Sequence, residues 1–524
     1  MTAPSHIALV GCGFTGTSAF FQLVDGYPVE EITIFEASGE FGPGYPYRLD
    51  DCPDYLINNT TDTMCLVPSN TRAFVTWLKG KPELAPDFDE RGHLPRSVFG
   101  RFLKDVFEST GTVAAIKGIR VNLVPHEVID MDEDPQGRVT LHWNGGRTTV
   151  DKAILTTGRC PDLDRVPPAP AEGATYVASH IRNADLDEVP LDAKVHVLGA
   201  SLSAYDVVNR LFSPSTGCAF HRDERGTLQF EPGPNQRRVL LCSRSGRLKA
   251  MQSRHERDLE RTEVTPDRLR RQARAGALDL PTLAEMIRKE ADHHGAVIDW
   301  DAVRDPYADC STAAEVDQRA GDLLDEAIAD AADPSRLNFL VDFFDDARDD
   351  LWQCFGEQLL TAADERTFRN RLETAVLAYA APCPVPTAEK LLALHRAGRL
   401  SFVKGVRAIG TTPTGQYEIE HEHGTETARV LVNTTGSVNL DVVHDDQPAL
   451  VRNLVRKGLI GAYRREGQPM KGAAVDMRTY RSRDARSIYI ASMLLWGPGI
   501  FTSSAYTMAR VVEQLLAELF SEDS

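Results

Sequence analysis

No two of the nine cysteines stand as a CxxC pair; they are scattered from Cys12 to Cys383. That spacing disfavours a disulfide reductase, and the thiols read as reduced, as in the cytosol. Basic charge is also short. Lys and Arg number 58 against 76 Asp and Glu, for a net charge of −18, which argues against nucleic acid or an anionic membrane surface as a partner. No apolar run reaches the length of a membrane span. The first strand begins almost at residue 1, so no secretory leader is expected and the expected location is cytoplasmic. No metal-ligand cluster and no catalytic triad emerges, so the expectation is no metal. At 42% hydrophobic residues over 524 positions, the chain can bury a large core across two or three domains.

What is present centres on Gly11-Cys12-Gly13-Phe14-Thr15-Gly16. The apolar strand His6 to Val10 precedes it, a helix over Thr17 to Val24 follows, and the strand Ile32 to Phe35 ends at Glu36. Strand, glycine turn, helix, strand and acid in that order make a dinucleotide-binding βαβ unit. Gly11 permits the tight turn, Gly13 lets backbone approach a pyrophosphate, and Gly16 lets helix and strand pack closely. The helix start offers free N–H groups and a positive dipole end to the phosphates, and Glu36 can accept from ribose hydroxyls.

Further along come the Gly42-Pro43-Gly44-Tyr45-Pro46-Tyr47 loop and the polar run Asn58-Asn59-Thr60-Thr61-Asp62-Thr63-Met64, which suits a ring with many hydrogen-bonding edges or a plain surface turn. Leu94 to Leu103 opens an amphipathic helix, where Arg96 could reach a phosphate or sit on the surface. Residues 120–158 read as a β-meander. After a proline-rich connection, Lys194 to Leu198, Gly199-Ala200-Ser201-Leu202-Ser203-Ala204 and a helix over Tyr205 to Phe212 repeat the unit with Ser201 and Ala204 in place of glycines. The next strand, Arg238 to Cys242, leads into Ser243-Arg244-Ser245-Gly246-Arg247. Arginine and serine where the first unit has Glu36 favour a 2′-phosphate.

An internal repeat supports the second unit. Arg399 to Val403 follows the pattern of Arg120 to Val124, and Val430 to Gly436 follows Ala153 to Gly158 with the same Thr-Thr-Gly ending. One spacing separates Gly137 from Gly158 and Gly415 from Gly436. Between the halves of the second unit lies an insertion with helical spacing, such as Leu323, Leu324, Ala327 and Ile328. Its basic stretch, Arg261, Arg268, Arg270, Arg271 and Arg274, is either a solvated helix face or a carboxylate- or phosphate-facing patch. The expected organisation is a first domain over 1–190, a second over 191–253, the helical insertion over 254–381, the rest of the second domain over 382–437 and a C-terminal return to the first over 438–524. There Phe501-Thr502-Ser503-Ser504 caps a helix over Ala505 to Leu519. A hydroxyl-rich helix start can serve a ring edge where negative charge gathers, or simply cap the helix. The fold class is α/β, two Rossmann-like dinucleotide-binding domains with a helical insertion.

The GCGFTG turn with Glu36, the GPGYPY and NNTTDTM loops and LPRSVFGRFL resemble the FAD/NAD(P)-binding family of two-dinucleotide flavoproteins. That family includes amino-acid N-oxygenases such as nitrosuccinate synthase and is related to N-hydroxylating and flavin-containing monooxygenases. The similarity covers both nucleotide domains and the C-terminal helix, not the insertion. Two departures stand out: GASLSA in place of the usual GxGxSG, and Ala491-Ser492-Met493 where many flavoproteins carry an acid aimed at the ribitol. The resemblance implies FAD and NADPH as cofactors, with a small-molecule substrate and dioxygen as partners and a homo-oligomer as an open option. For FAD it implies Gly11, Gly13, Phe14, Thr15, Gly16, Glu36, Ala37 and Tyr45, then Asn58, Asn59, Met64, Arg96, Val128, Thr157, Gly158, Thr502 and Ser503. For NADPH it implies Gly199, Ser201, Ser203, Arg244, Ser245 and Arg247. The implied chemistry is N-oxygenation of a small polar amino acid or amine through a flavin C4a-hydroperoxide. The alternative is an NADPH-dependent flavin reductase or dehydrogenase that passes electrons to a partner without oxygenation. His255 is a weak candidate for a base acting on the substrate ammonium.

Overall fold

The computed structural model describes residues 4–161, 166–167, 174–179, 183–252, 259–276, 278–333, 338–435 and 439–521. Two five-stranded parallel sheets carry the fold, and their strands lie in equivalent order. The first runs Ile488–Ile490, Lys152–Leu155, His6–Val10, Glu31–Phe35, Arg120–Val124. The second runs Thr175–Val177, Val430–Asn433, Lys194–Leu198, Arg238–Ser243, Leu400–Lys404. Each also carries a three-stranded antiparallel meander, over Val128–Val150 and over Ala408–Ala428. Helices cover the parallel sheets, which is why their inner strands read as unbroken apolar runs. Ile7, Ala8 and Leu9 are fully buried, as are Val195 and Val197.

Three expectations needed correction. Arg120–Val124 pairs with Glu31–Phe35 at the edge of the parallel sheet, so the meander begins only at Val128. Thr175–Val177, expected in the first domain, pairs with Val430–Val432 and closes the second sheet. The edge strand of the first sheet therefore comes from late in the chain, and that of the second precedes its glycine turn. The helix Ala313–Ala332, expected to belong to a separate helical insertion, puts Val316, Ala320 and Leu324 into the core of the second unit, with Leu323, Ala327 and Ile328 partly buried beside them.

The other insertion helices form their own apolar cluster around Leu269, Phe339, Phe343, Phe355 and Phe368, and this cluster also takes in Ile500 and Phe501. Most of the insertion's arginine run is spent on holding it together. Arg261 bridges Asp346 and Asp350, Arg268 pairs with Glu263 at 2.7 Å and Arg270 with Glu357 at 2.7 Å. Arg271 and Arg274 are exposed. The C-terminal helix, Ala505–Ser521, returns to the first unit, where Phe520 stacks on Tyr27 with ring centroids 4.6 Å apart.

Candidate functional site

The two glycine turns are built alike. Gly11 N–H donates to the Phe35 carbonyl at 2.8 Å, and Gly199 N–H donates to that of Cys242 at 2.8 Å. The Thr-Thr-Gly endings explain themselves here. Thr156 Oγ1 donates to the Gly11 carbonyl at 2.6 Å, and Thr434 Oγ1 donates to that of Leu198 at 2.7 Å. The threonines also crowd the turn: a Cβ on Gly11 would lie 2.4 Å from the Thr156 carbonyl oxygen, and one on Gly199 2.6 Å from Thr434 Oγ1 and 3.1 Å from the Thr434 carbonyl oxygen. Both glycines have φ above +100°, so only glycine fits either site.

Around the first turn the GPGYPY loop folds back as a cover. Gly42 N–H donates to the Cys12 carbonyl at 2.9 Å, and Thr17 Oγ1 donates to the Gly42 carbonyl at 2.9 Å. A Cβ on Gly13 would stand 3.2 Å from Gly44 Cα, and one on Gly16 2.1 Å from the Gly11 carbonyl oxygen. Gly13 precedes the helix Phe14–Gly26, and no side chain caps it, so its first-turn amides are open to an anion. Phe14 and Thr15 are buried beneath the turn. Burial pushes the Cys12 thiol up to about 12, which leaves it inert. Glu36 accepts from Cys12 N–H at 2.8 Å through one oxygen and from Ser38 N–H and hydroxyl through the other. A carboxylate oxygen accepts more than one hydrogen bond, so ribose hydroxyls still have acceptors there. The turn, its uncapped helix and the acid fit a dinucleotide.

The other expected flavin residues spread around this turn. Ala37, Thr157, Gly158 and Ser503 are exposed, Tyr45, Asn58 and Asn59 half-buried, and Met64 and Val128 in the core. The Asn59 carbonyl faces His93 Nδ1 at 3.2 Å. Thr502 is 3% exposed and its hydroxyl has no hydrogen-bond partner among the described residues. Arg96, expected near a phosphate or on the surface, is engaged by groups of the chain. Its guanidinium donates to Asp206 on the helix Leu202–Leu211 at 2.7 Å and to the Leu56 carbonyl at 2.9 Å, so it ties the first unit to the second.

In the second unit Ser201 precedes the helix without a side-chain cap. Ala204 stands where the first unit has Gly16 and is buried, so this turn has room for a Cβ. Ser203 is half-buried beside it. By register Ser243 is the equivalent of Glu36 in the first unit, with Arg244 and Ser245 next and both exposed. Arg247 donates to the Arg304 carbonyl at 2.6 Å. His255 lies outside the described residues.

Sequence reading missed one buried anchor. Arg369 donates to the carbonyls of Gly497 and Gly499 at 2.9 and 2.6 Å and pairs with Glu373, which accepts from Trp496 Nε1 at 2.9 Å. It sits on a π-helical turn, Phe368–Leu372. Nothing in the local pattern sets it apart from the other arginines of the insertion.

Residues 8–160 match the family model described as FAD-NAD(P)-binding. That match takes in the first glycine turn, Glu36 and the Thr156-Thr157-Gly158 ending. The chain is 24% identical over 271 residues to nitrosuccinic acid synthase of Aspergillus oryzae, a match covering 47% of this chain and 41% of that protein. Matches to curated relatives span about two fifths of those relatives' length. In fold, the chain is similar over its whole length to the ornithine N-hydroxylase of Kutzneria sp. 744 described with reduced FAD, NADP+ and L-ornithine, at a TM-score of 0.51 and 15% identity, with all of that chain covered. It is likewise similar to the ornithine hydroxylase of Pseudomonas aeruginosa, at 0.52 and 12% with full coverage of both chains. These likenesses extend the similarity in fold to the whole chain.

Proposed function

We propose that the protein is an FAD- and NADPH-dependent monooxygenase that oxygenates the nitrogen of a small polar amino acid or amine. The observation that carries this reading is the duplicated cradle: two glycine turns, each locked by a threonine at the end of an equivalent strand, in units joined by Arg96 and Asp206. The similarity to amino-acid N-oxygenating proteins adds the substrate class.

In this reading the helix starts at Gly13 and Ser201 take the two pyrophosphates. Glu36 accepts from the FAD ribose, and Arg244 with Ser245 hold the NADPH 2′-phosphate. The Thr502 hydroxyl, without a partner among the described residues, lies at the loop leading to the C-terminal helix and offers a hydrogen bond to the flavin ring. FAD reduced by NADPH supplies the activation of dioxygen; the chain supplies position and a dry site. An amino acid arrives with its nitrogen protonated, so the site must also hold the substrate while that proton leaves.

The test is a panel of amino acids and their decarboxylated amines, scored for NADPH use and for hydroxylamine, nitroso or nitro product. A small polar or acidic amino acid should couple NADPH oxidation to an N–O product. NADPH consumption that yields only hydrogen peroxide across the panel would favour the electron-transfer alternative.

A further inference from the structure

Buried cations in this molecule are matched almost one for one by carboxylates. Arg369 has Glu373, Arg465 has Glu365, Arg96 has Asp206 and Lys390 has Asp54. Arg237 lacks a carboxylate but is satisfied by the carbonyls of Val189, Pro190 and Leu211. Lys249 differs. Its ammonium donates to one neutral group, the Leu377 carbonyl at 2.5 Å. Among the described residues, the titratable group that acts on it is the Cys383 thiol, which burial holds protonated. Two of the three ammonium hydrogens thus lack an acceptor among the described residues, a costly state for a desolvated charge.

The position of Lys249 gives this cost a purpose. The residue follows the Arg244–Arg247 loop by two positions and lies where three elements meet. Its backbone N–H donates to the hydroxyl of Tyr205, on the helix that starts at the second glycine turn and whose next residue, Asp206, reaches the first unit. Its ammonium rests on the last helix of the insertion, Glu373–Ala380. Ala250 and Gln252 stitch the same segment to Ala378 and Cys383. Lys249 is nevertheless only half-buried. Coenzyme phosphates have their own cradles at Ser201 and Arg244, so the open acceptor position here suits a different oxyanion.

We propose that Lys249 is the receptor for the substrate's carboxylate, contributed from the seam between the second nucleotide unit and the insertion. The inference rests on the amino-acid N-oxygenation reading and replaces the arginine run beginning at Arg261 as the carboxylate handle, since three of those arginines are engaged within the insertion.

The test uses the FAD-loaded protein and two readouts. Lys249→Met keeps the length of the side chain and removes its charge. It should raise KM for an amino acid by about 10- to 100-fold, the worth of a charge-assisted hydrogen bond. kcat should stay within a few-fold, KM for NADPH unchanged and the preference for L-serine over ethanolamine lost, with Lys249→Arg restoring part of it. Independently, L-aspartate or L-serine should slow acetylation of Lys249 as read by mass spectrometry, while NADP+ and inorganic phosphate should not. Protection by NADP+ or phosphate with unchanged amino-acid selectivity would overturn the proposal in favour of a coenzyme contact, and no protection with unchanged KM would overturn it in favour of a structural lysine. If no amino acid is oxygenated yet carboxylates still protect Lys249, the oxygenation reading fails and the oxyanion site stands.

Discussion

Gly13 and Gly44 face each other so closely that neither tolerates a side chain without movement. Gly13→Val should therefore push the covering loop off the turn and fill the space over the helix start. The expected product is folded protein without yellow colour, checked by absorbance of the purified variant; full FAD occupancy would contradict the assignment. At the second turn, Arg244→Ala should raise KM for NADPH by about 10- to 100-fold, the worth of one charge-assisted phosphate contact, and leave KM for NADH nearly unchanged. Equal losses with both coenzymes would place Arg244 at a group the two share. Lys249 adds a stability signature. Burial draws its ammonium from an ordinary value near 10.5 to about 8. Between those values the unfolded chain binds the proton and the folded chain does not, so stability gains with rising pH there, and below about 8 the full cost is carried. Lys249→Met should raise the melting temperature near neutral pH and flatten the rise between about pH 8 and 10. A lower melting temperature near neutral pH would show that the ammonium is well accommodated. The Cys383 thiol, itself pushed up by burial, is the titratable group that acts on it.

Individual segments were legible to different degrees. The strand His6–Val10 and its glycine turn announce themselves because an apolar run, a glycine spacing and an acid are all local features. The strand Thr175–Val177 does not, since three residues have no period and its allegiance is set by pairing with Val430–Val432 far along the chain. The helix Ala313–Ala332 reads correctly as a helix, but its apolar face cannot say which core it will meet. The π-helical turn at Phe368–Leu372 is invisible for the same reason: Arg369 is defined by two carbonyls of the C-terminal loop. That loop is held by Arg369, by Trp352 against Gly499 and by burial of Ile500 and Phe501 among insertion residues. Removing one member of a buried ion pair leaves the other uncompensated, at about 3–5 kcal/mol. Arg369→Met should cost about that much in denaturant unfolding and expose residues 497–501 to proteolysis. A loss below about 1 kcal/mol, the range of an exposed pair, would contradict the clamp.

Across the molecule, the repeat was the feature sequence conveyed best. Matching strands, meanders and Thr-Thr-Gly endings fixed two units of one design, and the structure adds that both sheets share one strand order with their fifth strands drawn from opposite directions along the chain. What joins the units was not legible. Arg96 and Asp206 are far apart in sequence, and only the docking of the units decides that they meet. The proposed substrate handle was equally hidden, because Lys249 is distinguished by having no counter-charge among the described residues. The central claim, that this pair of units moves electrons from NADPH through FAD to place oxygen on an amino nitrogen, is tested most directly by mass spectrometry of the product after turnover with NADPH under isotopically heavy dioxygen. The expected result is that the best-coupled amino acid carries heavy oxygen on its nitrogen. Unlabelled amino acid recovered intact while NADPH is spent on hydrogen peroxide would contradict it.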